Sequence, residues 1–279
     1  MPSHVFFDRL SPFLFQWHVL GRTLDIRWYG LSYGLAFLLT FFYFRAAARR
    51  GTVPGFDGAA LEVLTGLVPL GVVLGGRLGF VVQHPHELLR DPLFALRIWE
   101  GGMAFFGGLL GCLLALAWVG RKYGCRFLAL TDVAVFPAAL GLAFGRLANF
   151  ANGELVGRPT HAGWGVIFPD TDFQPRYPSQ LFESVSHFLM FGILLVVSRR
   201  CVGWVEGRAG RLSFLFLTVY GFFRFLTDFY RDDDTYWGPF SDGQWISLLT
   251  GVVGLILLMG VRKNLTPRPL LPQAEGAER

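Results

Sequence analysis

Residues Phe127 to Thr160 read FLALTDVAVFPAALGLAFGRLANFANGELVGRPT. An apolar run of membrane length ends there in a cation, two amides and a carboxylate: Arg146, Asn149, Asn152 and Glu154. About 20 apolar residues cross ~30 Å of hydrocarbon at the helical rise. Lipid does not accept an unpartnered guanidinium, so an ionisable residue at such a place is a functional-site hypothesis by default. The natural partner for Arg146 is an anionic headgroup or a nearby carboxylate.

The rest of the chain fits the same reading. Hydrophobic residues make up 53% and charged residues 16%, where a soluble domain carries about 25% charged. Membrane-length runs fall at Trp28 to Phe44, Leu61 to Val82, Ile98 to Gly120, Phe127 to Phe150, Leu181 to Ser198, Leu212 to Tyr230 and Trp245 to Val261. The expectation is an all-α integral membrane protein of about seven transmembrane helices over residues 28–262, with an extracytoplasmic cap at 151–180. Residues 1–27 read as an outer interfacial arm: Val5 to Leu20 is aromatic and amphipathic and lacks the pattern of a removable signal peptide. Residues 263–279, with three prolines and no apolar period, read as a disordered cytoplasmic tail.

Basic residues set the orientation. Fourteen of the 25 Lys and Arg follow the odd-numbered runs (Arg45, Arg49, Arg50; Arg121, Lys122, Arg126; Arg199, Arg200, Arg208, Arg211; Arg262, Lys263, Arg268, Arg279), against eight on the other side, Arg231 among them. This bias places the N-terminus outside and the C-terminus in the cytoplasm. It also accounts for most of the net charge of +5, so that charge is no sign of nucleic-acid binding. Cys112, Cys125 and Cys201 have no metal or disulfide spacing, and no cofactor is implied. Arg77, Arg146 and Arg224 remain, within or at the ends of apolar runs.

Arg146 and Asn149 share a helix face, and Gly153 and Gly157 let the chain leave the helix with Asn152 and Glu154 near the same point. Guanidinium forks match phosphate oxygens, and amides donate to neutral oxygens, so the group reads as a phosphate clamp. The structural alternative is a buried Arg146–Glu154 pair that fixes the bend. Tyr220, Arg224 and Asp228 stack along one face at intervals of four, either as a second wall of the site or as an internal ion pair. Arg77, among Gly75, Gly76 and Gly79, either lines the same cavity or snorkels. Tyr29 is most simply an interface aromatic. Gln180 and Glu183 open the fifth run; Glu183 is either a charge favourable to a helix N-terminus or a hydrogen-bonding wall.

Taken in order, these residues resemble the prolipoprotein diacylglyceryl transferase family of bacterial inner membranes. The resemblance rests on Gly145 to Thr160, Gly101-Gly102-Met103-Ala104-Phe105-Phe106-Gly107-Gly108, Trp28-Tyr29-Gly30, Gly75-Gly76-Arg77, Pro178-Ser179-Gln180-Leu181 and Tyr220-Gly221-Phe222-Phe223-Arg224. It implies transfer of the diacylglyceryl group of phosphatidylglycerol to the lipobox cysteine thiol of a prolipoprotein, forming a thioether and releasing glycerol phosphate. The resemblance and the residues together make Arg146, Arg224, Glu154, Asp228 and Tyr29 the candidate catalytic residues. The candidate lipid-binding residues are Arg146, Asn149, Asn152, Gly157, Tyr220, Arg224, Arg77 and Gln180. The nucleophile belongs to the substrate, so no triad or metal motif is required. Three positions depart from the family pattern: Phe106 and Tyr177 stand where histidines are usual, and Asp228 where Glu is usual. Phe106 cannot accept a proton, so either Glu154 or Asp228 is the base, or the chain is a divergent paralogue that binds phospholipid without transferring it.

Overall fold

The computed structural model describes residues 6–7, 10–11, 13–19, 22–232 and 235–261; the expected tail at 263–279 lies outside the described residues. In chain order the elements are β1 (Phe6–Phe7), β2 (Phe13–Val19), β3 (Arg22–Arg27), α1 (Trp28–Arg50), α2 (Gly58–Gln83), α3 (Pro85–Arg90), α4 (Phe105–Tyr123), α5 (Phe127–Ala151), β4 (Val166–Ile167), β5 (Pro175–Arg176), α6 (Ser179–Arg200), α7 (Val202–Val205), α8 (Arg211–Asp228), β6 (Tyr236–Trp237), β7 (Phe240–Ser241) and α9 (Asp242–Gly260). Two 3-10 turns, Pro92–Leu96 and Ile98–Glu100, separate α3 from α4.

Six of these helices, α1, α2, α4, α5, α6 and α9, are long and apolar enough to cross a membrane, and the chain is a multi-pass membrane protein. Where the sequence suggests its sixth run, α8 is an 18-residue helix carrying Arg211, Arg224 and Asp228. Large apolar side chains such as Leu78, Val82, Leu114, Leu249 and Met259 point outward, the surface a lipid solvent favours and water does not. Two packed clusters lie inside. Phe44, Leu64, Leu116, Val119 and Leu130 join α1, α2, α4 and α5, while Phe136, Ala139, Met190, Leu194 and Leu212 join α5, α6 and α8. Helix α5 belongs to both and is the shared wall of the bundle.

Apolar attraction is weak between helices in lipid, so close backbone approach does the packing. Gly71 and Gly75 on α2 meet Gly111 and Gly107 on α4 so closely that a Cβ on Gly111 would stand 1.9 Å from the Gly71 carbonyl oxygen. On the other side of the bundle, a Cβ on Gly221 of α8 would stand 2.4 Å from the Gly251 nitrogen of α9. The N-terminus of α8 is fixed by Asp132 of α5, which accepts from the backbone N–H groups of Gly210 (2.7 Å) and Ser213 (2.8 Å) and from the Ser213 hydroxyl (2.7 Å). These donors are ones a helix start leaves unpaired.

One expectation changes. The third run was expected to be helical from Ile98, but α4 begins at Phe105. Gly101 and Gly102 take φ of +86° and +80°, which ends helical geometry and turns the chain. The amphipathic arm is an antiparallel hairpin of β2 and β3, and β1 pairs with β4. Thr23-Leu24-Asp25-Ile26-Arg27 alternates polar and apolar residues with period two, which is strand patterning.

Gly111→Val is expected to destabilise the fold by at least about 1–3 kcal/mol, because the α2–α4 backbones must separate to admit the side chain. Thermal unfolding in detergent reads the effect, and an unchanged melting temperature would contradict this close approach.

Candidate active site

The end of α5, the start of α6 and the end of α8 meet around one carboxylate. Pro178 precedes α6 and Glu183 follows in its second turn, with its side chain 2% exposed. Glu183 Oε2 lies 2.6 Å from Arg146 Nε, and Oε1 lies 2.7 Å from Arg224 Nη1 and 3.2 Å from Arg231 Nη1. Arg224 also pairs with Asp228 through Nη2 at 2.7 Å, and Arg231 Nε lies 3.7 Å from the same Asp228 oxygen. The other Asp228 oxygen accepts from the Ser241 hydroxyl at 2.7 Å.

Ser241 caps α9 in a reciprocal capping box with Gln244. Gly243 leaves room for the carboxylate, since a Cβ there would be 2.5 Å from Asp228 Oδ2. Asp228 therefore lies against the positive end of the α9 dipole and holds Arg224 from behind. All three guanidiniums meet Glu183, and two of them also approach Asp228. The arginine side chains are 19%, 14% and 15% exposed for Arg146, Arg224 and Arg231, so an anion can reach them.

A looser amide network adjoins Arg146. Its Nη1 donates to Asn149 Oδ1 at 3.4 Å; Asn149 Nδ2 donates to Tyr29 Oη at 3.5 Å and to Glu154 Oε2 at 3.3 Å; Asn152 Nδ2 donates to Glu154 Oε1 at 3.4 Å. Bonds of this length are weak, and the amides can turn to a better acceptor at little cost. The loop itself is firm. Gly153 takes φ of +65°, Glu154 N–H donates to Asn149 O at 2.9 Å, and Gln180 Nε2 donates to Glu154 O at 2.7 Å. Gln180 Oε1 is buried with no partner among the described residues.

The structure thus brings together Arg146, Asn149, Asn152, Glu154, Tyr29, Gln180, Arg224 and Asp228. Tyr220, one turn below Arg224, stacks on His187 with ring centroids 5.8 Å apart. Gly157 serves backbone packing, because a Cβ there would lie 2.3 Å from Tyr177 O and 2.5 Å from Tyr230 O. Beside it, Arg176 pairs with Asp172 at 2.7 Å and Asp232 at 2.5 Å, tying 157–176 to the chain after α8. The Arg176 guanidinium holds the Asp172 carboxyl below the usual carboxylate range.

Arg77 neither snorkels nor joins this cluster. It is 4% exposed and donates to the carbonyls of Ala95 (3.1 Å), Gly101 (2.7 Å), Gly102 (3.2 Å) and Phe94. Its guanidinium also lies over the rings of Phe80 and Phe94. The four carbonyls belong to the turns before α4, so Arg77 is the staple of that segment. The alternative Arg146–Glu154 pair is also replaced: the carboxylate on Arg146 is Glu183. Of the positions that depart from the family pattern, Phe106 is 69% exposed, and Tyr177 packs on Trp164 and Tyr230.

Sequence reasoning did not place Glu183 at the centre, left Arg231 among loop cations and passed over Ser241 and His187. Spacing held part of the signal. Arg224, Asp228 and Arg231 follow at intervals of four and three, one helical face, and Glu183 is a carboxylate at the start of a membrane-length run.

The family described as Prolipoprotein diacylglyceryl transferase matches residues 16–260. Among named relatives, the Phosphatidylglycerol--prolipoprotein diacylglyceryl transferase of Geobacter sulfurreducens is 42% identical over 92% of this chain and 98% of its own length. The protein of the same name from Pseudoalteromonas atlantica is 38% identical over 99% of this chain and 98% of its own length. That from Polynucleobacter asymbioticus is 42% identical over 86% and 92%.

Glu183→Gln would remove the carboxylate on which three neighbouring guanidiniums converge. Removing one partner of a buried ion pair costs about 3–5 kcal/mol, so the variant is expected to melt well below the parent protein in detergent. An unchanged melting curve would show that Glu183 does not hold the cluster.

Proposed function

The chain belongs to the prolipoprotein diacylglyceryl transferase family, and on that premise we propose that it transfers the diacylglyceryl group of phosphatidylglycerol to the lipobox cysteine thiol of prolipoproteins. A thioether forms, and glycerol phosphate leaves. Relatives bearing the transferase name along nearly their whole length favour this reading over a paralogue that only binds lipid. The observation that carries it is the convergence of Arg146, Arg224 and Arg231 on the Glu183 carboxylate with each guanidinium side chain still partly exposed, because guanidinium forks match the oxygens of a phosphodiester.

In this reading the protein lies in a bacterial inner membrane with α8 as the sixth of seven spans, its N-terminus outside and its C-terminus in the cytoplasm. Residues 151–180 form an extracytoplasmic cap over the site, and the N-terminal arm rests at the outer interface. Arg146 and Arg224 take the lipid phosphate, exchanging part of their contact with Glu183 for it. Asn149, Asn152 and Gln180 turn toward the headgroup oxygens, with Tyr29 behind Asn149.

The thiol sulfur attacks the glycerol carbon that bears the phosphate, and the carbon–oxygen electrons leave with the phosphate oxygen. Negative charge grows on that oxygen as the bond breaks, so guanidiniums fixed beforehand stabilise the transition state more than the bound lipid. Asp228 is engaged by Arg224 and Ser241 on its two oxygens, which suits it to position Arg224 and not to take a proton.

The test is incubation of the purified protein, in phosphatidylglycerol nanodiscs, with a lipobox peptide, following the thioether product and released glycerol phosphate. Arg146→Ala and Arg224→Ala are each expected to lower turnover by about 10²-fold or more, the scale for loss of a preorganised charge donor. Arg77→Ala is expected to lower stability, with a smaller effect on turnover of the folded fraction. Absence of product from the parent protein would refute the transfer. Equal turnover losses for Arg77→Ala and Arg224→Ala would refute the assignment of roles.

A further inference from the structure

Resting on the transferase reading, we propose that His187 is the group that accepts the proton of the acceptor thiol, as a catalytic residue directly beneath the arginine cluster. Among the described histidines, His187 alone lies inside a membrane-length helix. It is 4% exposed, and its Nδ1 is buried without a hydrogen-bond partner among the described residues. Buried polar atoms in folded proteins are nearly always paired, and an imidazole nitrogen left open beside a reaction site is placed for a partner that comes with the substrate.

The two facing helices define its position. Glu183 on α6 meets Arg224 on α8 at 2.7 Å. Four residues further along α6 and four residues back along α8, His187 stacks on Tyr220 with an interplanar angle of 13°. The imidazole therefore forms a second rung, about 6 Å deeper in the bundle at the helical rise. The groups that face it are Glu183 on its own helix, Arg146 from α5, and Tyr220 and Arg224 from α8.

Depth decides the role. Displacement at a carbon is in line, so sulfur enters on the side opposite the departing phosphate oxygen. With the phosphate on Arg146 and Arg224, the entering sulfur lies a few bond lengths further into the bundle, on the level of the His187 rung. Glu154 lies at the rim, exposed, with both oxygens accepting from Asn149 and Asn152. It is on the phosphate side of the reacting carbon. Phe106, where the family usually carries histidine, offers no acceptor.

The step balances within the groups present. The thiol S–H bond gives its proton to His187 Nδ1 as the sulfur pair forms the sulfur–carbon bond. The carbon–oxygen pair leaves with the phosphate, and the imidazolium passes its proton to the departing phosphate monoester.

The experiment compares the full-length parent and His187→Gln in phosphatidylglycerol nanodiscs with two lipobox peptides, one carrying cysteine and one selenocysteine, whose selenol is already ionised at neutral pH. With cysteine, His187→Gln is expected to lose about 10²-fold in turnover, the usual contribution of a general base, and to lose the acid limb of the pH–rate profile. With selenocysteine the loss is expected to shrink below about 10-fold, because no proton need be removed. Equal losses with both peptides, as from a misfolded or merely repacked variant, would overturn the proposal, and so would undiminished turnover with cysteine. A parent protein that makes no product with either peptide would instead refute the transferase reading on which the proposal rests.

Discussion

The Glu183 carboxylate, shared by Arg146, Arg224 and Arg231 at 2.6 to 3.2 Å, is the interaction on which the rest of the structure depends. Three like charges cannot be held at the end of an apolar bundle by packing alone, and a low-dielectric surround magnifies both their repulsion and their attraction to an anion. One buried carboxylate brings guanidiniums from α5, α8 and the segment after α8 to a common point. A second, Asp228, steadies two of them from behind. Because carboxylates hold guanidiniums that stay partly exposed, the set is ordered without lipid and still complementary to a phosphodiester. That combination is what electrostatic preorganisation requires.

The helices serve this point by being fixed at their ends. Asp132 holds the start of α8 through Gly210 and Ser213, while Asp228 and Ser241 join its far end to the cap of α9. Glycine contacts between α8 and α9 allow no slack between these anchors. Arg224 is thus set by hydrogen bonds at both ends of its helix. The loop after α5 is anchored by Gln180 and Ser179 to the start of α6. The Asn149 and Asn152 amides are held loosely, and those are the groups that must turn when a headgroup arrives.

Hydropathy made the membrane helices legible, since a run of about 20 apolar residues has few other uses. Arg146 and Arg224 were legible because lipid makes an internal cation conspicuous. Glu183 was less so: near a helix start a carboxylate has an ordinary explanation in the dipole, and only the fold shows three arginines converging on it from separate segments. Arg77 misled for the same reason that Arg146 informed. Its partners are backbone carbonyls at 94, 95, 101 and 102, and no residue type announces a carbonyl that faces a guanidinium. The start of α4 and the β2–β3 hairpin were obscured because apolar content was read ahead of period. Paired glycines at 101 and 102 and the alternation from Thr23 to Arg27 carried the signals that decided them.

Binding without turnover shows whether the arginine cluster is an anion site completed by a lipid phosphate. Short-chain phosphatidylglycerol and phosphatidylcholine of the same acyl length would be titrated into the detergent-solubilised protein while its thermal unfolding is followed. A ligand that binds the folded state raises the melting temperature in proportion to its occupancy. The account predicts a concentration-dependent rise with phosphatidylglycerol that is absent with phosphatidylcholine and abolished in Arg146→Ala. An equal rise with both lipids, or a full rise in Arg146→Ala, would contradict it.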